Sequence, residues 1–296
     1  MHKLLIVEDE PQLRSLFINA FKRLNVSAVA VENGIEGLAA FESFNPDIVL
    51  TDIRMPKMSG LELLREIRIR STRTIVVVMT ALDSPELPLE ALRMGASDFI
   101  RKPVILSELF QTLKKYLNFL ENNTQQTKTL GKYIYREAII EFPTRIDLVP
   151  RMVSKLIRGI SIPENILLGV HLGLAELITN AIEHGNMGIS YDEKCSALKN
   201  DPMNGLEELY KSRLQLSETK RKKILVHFKM RKNVLQWKIS DEGIGFDWES
   251  LPDPTSPENL LGLSGRGILL SRMQFDRLEY IGSGNTVKIT KRISVV

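Results

Sequence analysis

Three polar, glycine-containing segments in the second half of the chain combine residue types that can hold a nucleotide. They are Glu-Leu-Ile-Thr-Asn-Ala-Ile-Glu-His-Gly-Asn at 176–186, Ser-Asp-Glu-Gly-Ile-Gly-Phe-Asp at 240–247 and Gly-Leu-Ser-Gly-Arg-Gly at 262–267. An asparagine on a helix can bind Mg²⁺, a carboxylate can accept a hydrogen bond from the adenine amino group, and glycines let backbone amides approach phosphates. Each segment alone is a weak signal, but the three in this order predict an ATP site.

The first of these segments carries polar residues at helical spacing. Glu176, Asn180 and His184 are four residues apart, so they share one face of a predicted helix whose other residues are mostly apolar. A solvated polar stripe would give the same spacing. Because the rest of the helix is apolar, we expect these side chains to line a cleft or to be buried with partners. We interpret His184 as a hydrogen-bonded supporting residue and not as a catalyst.

Five residues in the first half that can do chemistry follow or end predicted strands. Glu8 and Asp9 come after the first strand, and Asp52, Thr80 and Lys102 end the third, fourth and fifth. The carboxyl ends of parallel strands meet at one edge of a sheet, so these side chains are expected to converge. Clustered acids repel one another unless a cation is present, and oxygen ligands favour Mg²⁺. A carboxylate in such a site can act as a nucleophile toward a phosphoryl group while Mg²⁺ and the lysine neutralise charge on that group.

Short β-branched runs alternate with helical patterns in the first half, which is typical of a parallel sheet covered by helices on both faces. The predicted strands are Leu4–Val7, Ala28–Val31, Ile48–Thr51, Thr74–Met79 and Asp98–Ile100. The predicted helices are Gln12–Leu24, Ile35–Phe44, Leu61–Arg68, Leu87–Met94 and Leu106–Phe119. The pattern predicts an α/β, doubly wound (βα)5 domain over 1–120, followed by a linker at 121–132 where apolar periodicity is lost.

The order of the elements changes after the linker. The predicted elements are a strand at Tyr133–Glu141, helices at Val149–Arg158 and Glu164–His184, strands at Lys223–Met230 and Val234–Ser240, a helix at Arg266–Met273, and a hairpin at Arg277–Thr290 that turns at Gly282–Asn285. Helices grouped against a mostly antiparallel sheet make an α+β two-layer sandwich over 133–296. Residues 187–222 are polar and long for a loop, and one short helix is expected near Gly205–Leu216.

Composition and charge exclude several classes of protein. Hydrophobic content of 43% and charged content of 26% are ordinary for a globular chain. No apolar run reaches the length of a spanning helix and the N-terminus turns acidic early, so we expect a cytoplasmic protein with no membrane partner. The net charge of +4 and the basic run Lys220–Lys223 come without a nucleic-acid-binding motif, so no direct nucleic-acid contact is expected. The lone Cys195 is interpreted as a passive thiol.

Four motifs within residues 1–120 match one known family: Val7-Glu8-Asp9-Glu10, Thr51-Asp52-Ile53-Arg54-Met55-Pro56, Met79-Thr80-Ala81 and Phe99-Ile100-Arg101-Lys102-Pro103. By these motifs the segment resembles the receiver domain of response regulators. The resemblance implies that Asp52 accepts a phosphoryl group and that Glu8, Asp9 and Asp52 hold Mg²⁺. Thr80 would bond the phosphate and Lys102 would pair with it. The implied phosphoryl donor is an upstream histidine kinase or phosphotransfer protein.

Through the three segments described first, residues 133–296 resemble the ATP-binding domain shared by histidine kinases, gyrase and anti-sigma-factor serine kinases. The resemblance implies that Asn180 binds Mg²⁺ and that Asp241 accepts the adenine amino hydrogen. It also assigns the purine side of the pocket to Gly243 and Gly245, the phosphates to Gly265 and Gly267, and a position beside the adenine to Thr286. Residues 247–262 would form the lid of the site.

One position indicates the subgroup. Histidine kinases usually carry Asn four residues before the magnesium-binding Asn, whereas this chain has Glu176, as the anti-sigma serine kinases do. A carboxylate there can act as a general base that takes the proton from an attacking hydroxyl. The segments 246–248, 252–254 and 264–268 also resemble that subgroup, and the linker is too short for the two-helix phosphoacceptor module of a histidine kinase.

The sequence therefore predicts a two-component response regulator whose phosphorylation at Asp52 controls an ATP-dependent output domain. That domain would phosphorylate Ser or Thr of an anti-anti-sigma-type partner, or would sequester a sigma factor. One alternative is a non-catalytic switch that binds ATP and a partner, and another is an atypical histidine kinase acting in trans. The identity of the partner, the sign of control, the role of residues 187–222 and the oligomeric state, a homodimer included, stay open.

Overall fold

The chain is described by a computed structural model over residues 1–22, 24, 26–81, 86–123, 135–160, 162–202, 204–248 and 266–293. It divides into two compact units, Met1–Leu117 and Asn118–Val296. Each unit has its own sheet, so the two are described separately. Residues 124–132 of the predicted linker and most of the predicted lid lie outside the described residues.

The first unit is a five-stranded parallel sheet in the order β2-β1-β3-β4-β5. Its strands are β1 (His2–Val7), β2 (Val26–Val31), β3 (Ile48–Asp52), β4 (Ile75–Ala81) and β5 (Asp98–Lys102). The helices are α1 (Pro11–Phe21), α2 (Gly34–Phe44), α3 (Gly60–Arg70), α4 (Glu86–Arg93) and α5 (Leu106–Asn123), the last of which continues beyond the unit. The order with β1 next to β3 is that of a doubly wound fold, so the predicted fold class is confirmed.

Burial explains why the strands of this unit were recognisable. Every residue of β3 is buried, as is every residue of β4 except the last, as expected when helices cover both faces of a parallel sheet. α3 begins at a capping box in which Ser59 and Glu62 satisfy each other's backbone amides, and α2 begins at Asn33, whose side chain accepts from the backbone of Glu36. Because all pairings in this sheet are parallel, the carboxyl ends of the strands lie at the same edge.

The second unit is a five-stranded antiparallel sheet in the order β6-β7-β8-β10-β9, with helices packed on it. Its strands are β6 (Tyr135–Pro143), β7 (Lys223–Arg231), β8 (Val234–Ser240), β9 (Arg277–Ile281) and β10 (Thr286–Arg292). A 3₁₀ turn at Ile146–Leu148 precedes α6 (Val149–Ile157) and α7 (Glu164–Asn180). The core includes Trp237, which packs against Phe228 and Phe275 with ring centroids 5.4 and 6.1 Å away. The predicted antiparallel domain is therefore confirmed.

Residues 187–222 contain more helix than the sequence pattern predicted. Three helices occupy the segment: α8 (Tyr191–Asn200), α9 (Gly205–Gln215) and α10 (Ser217–Arg221). Only α9 was expected, because the segment is too polar to show a clear apolar stripe. A local signal for α8 was nevertheless present, since Ser190 and Glu193 form a capping box at its start. The last helix of the chain's described part is α11 (Arg266–Gln274).

The long helix predicted at 164–184 changes type before its end. It is α-helical to Asn180 and π-helical from Ala181 to Asn186, where Met187 N donates to Ile182 O at 2.9 Å across five residues. Within the described part of the chain, Glu164–Asn186 is the one helix that passes a length-and-hydropathy test for membrane spans, and 61% of its apolar window is buried in the fold. A core helix of a globular domain has the same properties. π-helical turns are rare and occur frequently at functional sites.

Candidate functional site

Three carboxylates of the first unit meet at the carboxyl ends of its strands. Glu8, Asp9 and Asp52 each offer an oxygen within 4.8 Å of the others. Glu8 is fully buried and Asp52 is 6% exposed, whereas Asp9 faces solvent. Because a cluster of hard oxygen ligands that is open on one side fits a divalent cation with water or phosphate in its remaining positions, the donor set fits Mg²⁺.

Lys102 is the cation that the protein itself supplies to this cluster. Its Nζ lies 2.9 Å from the Glu8 carboxylate and also hydrogen-bonds to Asp52. Burial lowers the pKa of Lys102, but the hydrogen bonds and charges of Asp52 and Glu8 outweigh burial and raise that pKa overall. Burial raises the pKa of Glu8 in spite of the opposing contact with Lys102. The ammonium group therefore stays charged beside two acids.

Thr80 lies on the strand next to Asp52. Asp52 pairs with Met79 in the sheet, so Thr80 is one residue further along β4 and is buried. Its hydroxyl contacts the carbonyl of Ala81 at 3.4 Å. The structure thus brings the three acids within 4.8 Å of one another and Lys102 into contact with two of them, with Thr80 at the adjacent strand end.

Arg14 is a residue of this site that the sequence pattern did not indicate. Its Nη1 donates to the carbonyl oxygens of Glu8 and Asp9 at 2.6 and 2.7 Å. Both carbonyls belong to residues of the acid cluster, so the guanidinium holds the backbone that carries two of the three acids. On α1 it looks like one more charged helical residue, and only the folded chain reveals its contacts.

Asp241 of the second unit follows β8 and is held by backbone contacts. Its N–H donates to Asn285 O at 3.0 Å, and its Oδ1 accepts from Gly243 N at 2.9 Å. Burial raises the pKa of the Asp241 carboxyl to about 6, while the Gly243 amide and the charge of Lys222 act in the opposite direction. Thr286, on β10, pairs with Ser240 and donates to its Oγ at 3.0 Å. A partly buried carboxylate of this kind fits a neutral amine donor such as the adenine amino group.

The Asp241 carboxylate lies directly against the π-helical segment. A Cβ at Gly185 would overlap that carboxylate, so only glycine permits this approach. Gly243 in turn backs onto the carbonyl of Gly185. The asparagine-bearing helix and the Asp241 loop, far apart in sequence, are therefore neighbours in the fold.

The three polar residues of the long helix have different environments. Glu176 and Asn180 are half-buried and His184 is exposed. The His184 ring has Nδ1 2.7 Å from Ile189 O, which agrees with the predicted hydrogen-bonded supporting role. A Cβ at Gly267 would overlap the Glu176 carboxylate, so this carboxylate lies against the first turn of α11. Gly265 lies outside the described residues.

Two further residues near Glu176 were not anticipated from the sequence. Burial raises the pKa of Tyr280 to about 12, with the Glu176 charge adding to the rise and Arg272 opposing it. Arg272 and Tyr280 line a cavity of about 480 Å³ together with Trp248, whose indole N–H donates to Gly282 O at 3.0 Å. The backbone from Gly245 onward follows the β9–β10 turn, since Phe246 N donates to Ser283 O at 2.8 Å.

A buried carboxylate ties residues 187–222 to the π-helical segment. Glu183 is 1% exposed, accepts from Lys194 Nζ at 2.8 Å, and is hydrogen-bonded by the Tyr210 hydroxyl. Burial and the charge of Glu183 raise the pKa of Tyr210. Residues 187–222 are therefore held against the π-helical segment by contacts from α8 and α9.

The order of the two folds, a parallel α/β domain before an antiparallel domain, agrees with matches to two known domain families. The response regulator receiver domain matches residues 4–114, and the histidine kinase-like ATPase domain matches residues 142–291. The second match covers half of the chain. The chain therefore belongs to the histidine kinase-like ATPase domain family and carries a receiver domain in front of it.

Similar proteins share mainly the receiver part. The chain is 39% identical over 129 residues to the regulatory protein AtoC of Escherichia coli, across 40% of this chain and 28% of AtoC. It is 36% identical to the chemotaxis protein CheY of Listeria monocytogenes, across 39% of this chain and 98% of CheY. A receiver-domain structure from Clostridium thermocellum is 28% identical with a TM-score of 0.39, covering 41% of this chain and 98% of that one. The chain thus spans less than a third of AtoC.

Proposed function

We propose that this protein is a response regulator whose phosphorylation at Asp52 controls an ATP-dependent kinase domain that acts on Ser or Thr of a partner protein. The partner would be of the anti-anti-sigma type. Alternatively, the domain would bind and sequester a sigma factor without phosphorylating it. The observation that carries the proposal is the half-buried Glu176, one helical turn before Asn180 and against the first turn of α11. A carboxylate at that position suits a general base for a hydroxyl acceptor.

In the receiver domain, Asp52 would be the phosphoryl acceptor. Glu8, Asp9 and Asp52 would hold Mg²⁺, because their oxygens already lie within 4.8 Å of one another. Lys102 would neutralise charge on the incoming group, since its ammonium contacts Asp52. Thr80 would bond the phosphoryl oxygens from the next strand. An upstream histidine kinase or phosphotransfer protein would be the donor.

In the ATPase domain, Asp241 would accept the adenine amino hydrogen and Thr286 would lie beside the ring. Asn180 would bind Mg²⁺ from the helix. The purine side would be lined by Gly243 and Gly245, and the phosphates would be met by Gly265 and Gly267. ATP, when bound, supplies the phosphoryl group for transfer. Glu176 would take the proton from the attacking Ser or Thr hydroxyl at its carboxylate oxygen.

The test is phosphate transfer from γ-labelled ATP to proteins of a cytoplasmic extract from the source organism, followed by chemical typing of the label. Acid-stable phosphoserine or phosphothreonine is expected. Glu176→Gln should bind ATP normally but slow transfer roughly 10²–10⁴-fold. The matched control is Glu164→Gln, an exposed acid in the first turn of the same helix, which should leave the rate unchanged.

The other outcomes of this assay separate the alternatives. Acid-labile phosphohistidine would replace the proposal with a histidine kinase acting in trans. ATP binding without transfer would favour the non-catalytic switch that binds ATP and a partner. The helices between residues 191 and 221 also favour this alternative, because they add surface beside the π-helical segment. Full-speed transfer by a folded Glu176→Gln variant would end the assignment of Glu176 as the base.

Receiver control is measured in the same assay with beryllofluoride added to mimic the phosphorylated Asp52. A change of about 5–150-fold in transfer rate or ATP affinity is expected, the usual range for coupling between two sites. Asp52→Ala should abolish the response to beryllofluoride. Identical transfer rates and ATP affinities with and without beryllofluoride would mean that the receiver domain does not control the ATPase domain.

A further inference from the structure

We infer that Asn186 is a positioning residue that sets the place of Asp241, and thereby the preference of this domain for adenine. The inference rests on the proposed function, in which Asp241 contacts the adenine amino group. Asn186 is the last residue of the π-helical segment, and only 1% of its surface is exposed. A primary amide buried to this degree needs partners for both its donor and its acceptor.

Asn186 finds these partners in three separate segments of the chain. Its Nδ2 donates to Thr144 Oγ1 at 2.8 Å and to Lys223 O at 3.1 Å. Its Oδ1 accepts from Glu242 N at 2.8 Å. The last contact is to the residue that directly follows Asp241. One carboxamide therefore joins the end of the helix, the end of β6, the start of β7 and the loop after β8.

The orientation of the amide is set by its neighbours. Glu242 N can only donate and Lys223 O can only accept, so the carbonyl oxygen of Asn186 must face the first and the amide nitrogen the second. A carboxylate or an apolar side chain of similar size cannot satisfy both. Lys222 Nζ also donates to the backbone carbonyl of Asn186 at 3.2 Å, which adds a contact from the same strand start.

The contacts have a direct consequence for Asp241. The preceding residue, Gly185, is in close contact with the Asp241 carboxylate, while Asn186 holds the next residue of the loop. Gly243 rests on the carbonyl of Gly185 from the other side. Among the hydrogen bonds of the described residues, the bond to Glu242 N is the one that a side chain of the π-helical segment makes with the Asp241 loop. Without this bond, Asp241 keeps its backbone contact with Asn285, but the next residue of the loop is no longer bonded to the π-helical segment, so we expect the carboxylate to shift from the position where it meets the adenine amino group.

The two ends of the Asn186 amide separate positioning from stability. The bond to Thr144 leads toward β6, and Thr144 Oγ1 itself donates to Lys222 O at 2.6 Å. That branch supports the fold without touching the Asp241 loop. The bond to Glu242 N is the branch that acts on the nucleotide site. A substitution at each end therefore tests the inference against a purely structural role.

The experiment measures the dissociation constants of ATP and GTP by calorimetry for the full chain and its variants, with melting temperature recorded in parallel. A carboxylate that accepts from the adenine amino group faces the O6 carbonyl of guanine, so the parent should prefer ATP strongly. Asn186→Ala should reduce the ratio of the GTP to the ATP constant by about tenfold or more. The matched control, Thr144→Val, should lower the melting temperature and keep the ratio.

If Asn186→Ala does not fold, Asn186→Ser is scored by the same ratio. An unchanged ratio in the folded variant overturns the inference, because Asn186 would then contribute only stability. Failure of the proposed function looks different. If the parent shows no preference for ATP, or if Asp241→Asn keeps that preference, the adenine assignment of Asp241 is wrong and the inference falls with it. If Asp241→Asn loses the preference and Asn186→Ala retains it, only the inference fails.

Discussion

The two carboxylate sites of this chain differ in how the protein compensates their charge. In the receiver domain, Lys102 contacts both Glu8 and Asp52, so the acids share a built-in cation. In the ATPase domain, Asp241 is partly buried, and the effect of burial outweighs the charge of Lys222 and raises the pKa of Asp241 to about 6. The first site pairs its acids with a cation of the protein itself. In the second site, burial of a single carboxylate has the larger effect on its pKa.

The sites also differ in how they are assembled. The receiver acids come from the ends of parallel strands, which the order β2-β1-β3-β4-β5 brings together. Asp241 of the ATPase domain comes from a loop that packs against a π-helical turn, and the buried amide of Asn186 contacts the same loop. Strand order brings the first set of carboxylates together, whereas contacts between a loop and a helix end surround Asp241.

The largest expected effect separates the two sites completely. Asp52→Ala should abolish labelling by acetyl phosphate in Mg²⁺, because no other member of the acid cluster occupies the acceptor position. Mass spectrometry of the parent should show a single phosphoryl adduct. Asp241→Asn, which changes the carboxylate of the other site, should be labelled by acetyl phosphate like the parent. Labelling of Asp52→Ala at the parental level would refute the assignment of the acceptor.

The second expected effect concerns ATP affinity alone. Asp241→Asn removes a charged acceptor for the adenine amino group, a bond worth about 1.5–3 kcal/mol, so ATP should bind roughly 10–100-fold more weakly. Calorimetry measures the change. The control is Asp192→Asn, the same change at an exposed acid in the first turn of α8, which should bind ATP normally. Unchanged affinity in Asp241→Asn would remove this carboxylate from the pocket.

The smallest expected effect is one of stability, and its sign follows from the raised pKa. The folded ATPase domain binds the Asp241 proton more tightly than the unfolded chain does, because the pKa rises from 3.8 to about 6. Folding therefore loses stability as pH rises through this window, and the loss persists above it. Asp241→Asn avoids the loss, so it should melt higher than the parent at about pH 8 and equally at about pH 4.

Partial exposure of the side chain screens this charge, so the rise should be only about 2–4 °C. Thermal unfolding of the nucleotide-free protein across the pH range measures it. Asp192→Asn again serves as the control. A lower melting temperature of Asp241→Asn at high pH would mean that a cation stabilises the Asp241 carboxylate, as Lys102 does for Glu8 and Asp52. The contrast between the two sites would then be wrong.

Much of the fold could be predicted because its elements carry local signals. Buried β-branched runs such as Ile48–Thr51 mark parallel strands, and the strand-end rule then placed Asp52 beside Glu8. The spacing of Glu176 and Asn180 likewise predicted a polar face on an otherwise apolar helix. For α8, the capping box at Ser190 was readable, but the polar composition of the helix concealed it.

Other features depend on contacts that no local pattern encodes. Asn186 bonds to residues 37, 42 and 56 positions away, and Arg14 looks like an ordinary helical arginine until its contacts with the Glu8 and Asp9 carbonyls are seen. The π-helical turn has the composition of the α-helix that it continues.

The π-helical turn at Ala181–Asn186 makes this part of the chain sensitive to residue count as well as residue type. A π turn holds an additional residue compared with an α turn, so removal of one residue here would restore regular α geometry. Each α-helical residue advances by about 100° around the axis and 1.5 Å along it, so everything beyond the deletion would be rotated relative to Asn180. A chain shortened in this way would keep an intact helix while its buried amide pointed away from β7 and the Asp241 loop. Evolution of this segment is therefore expected to restrict its length as well as the identities of Gly185 and Asn186.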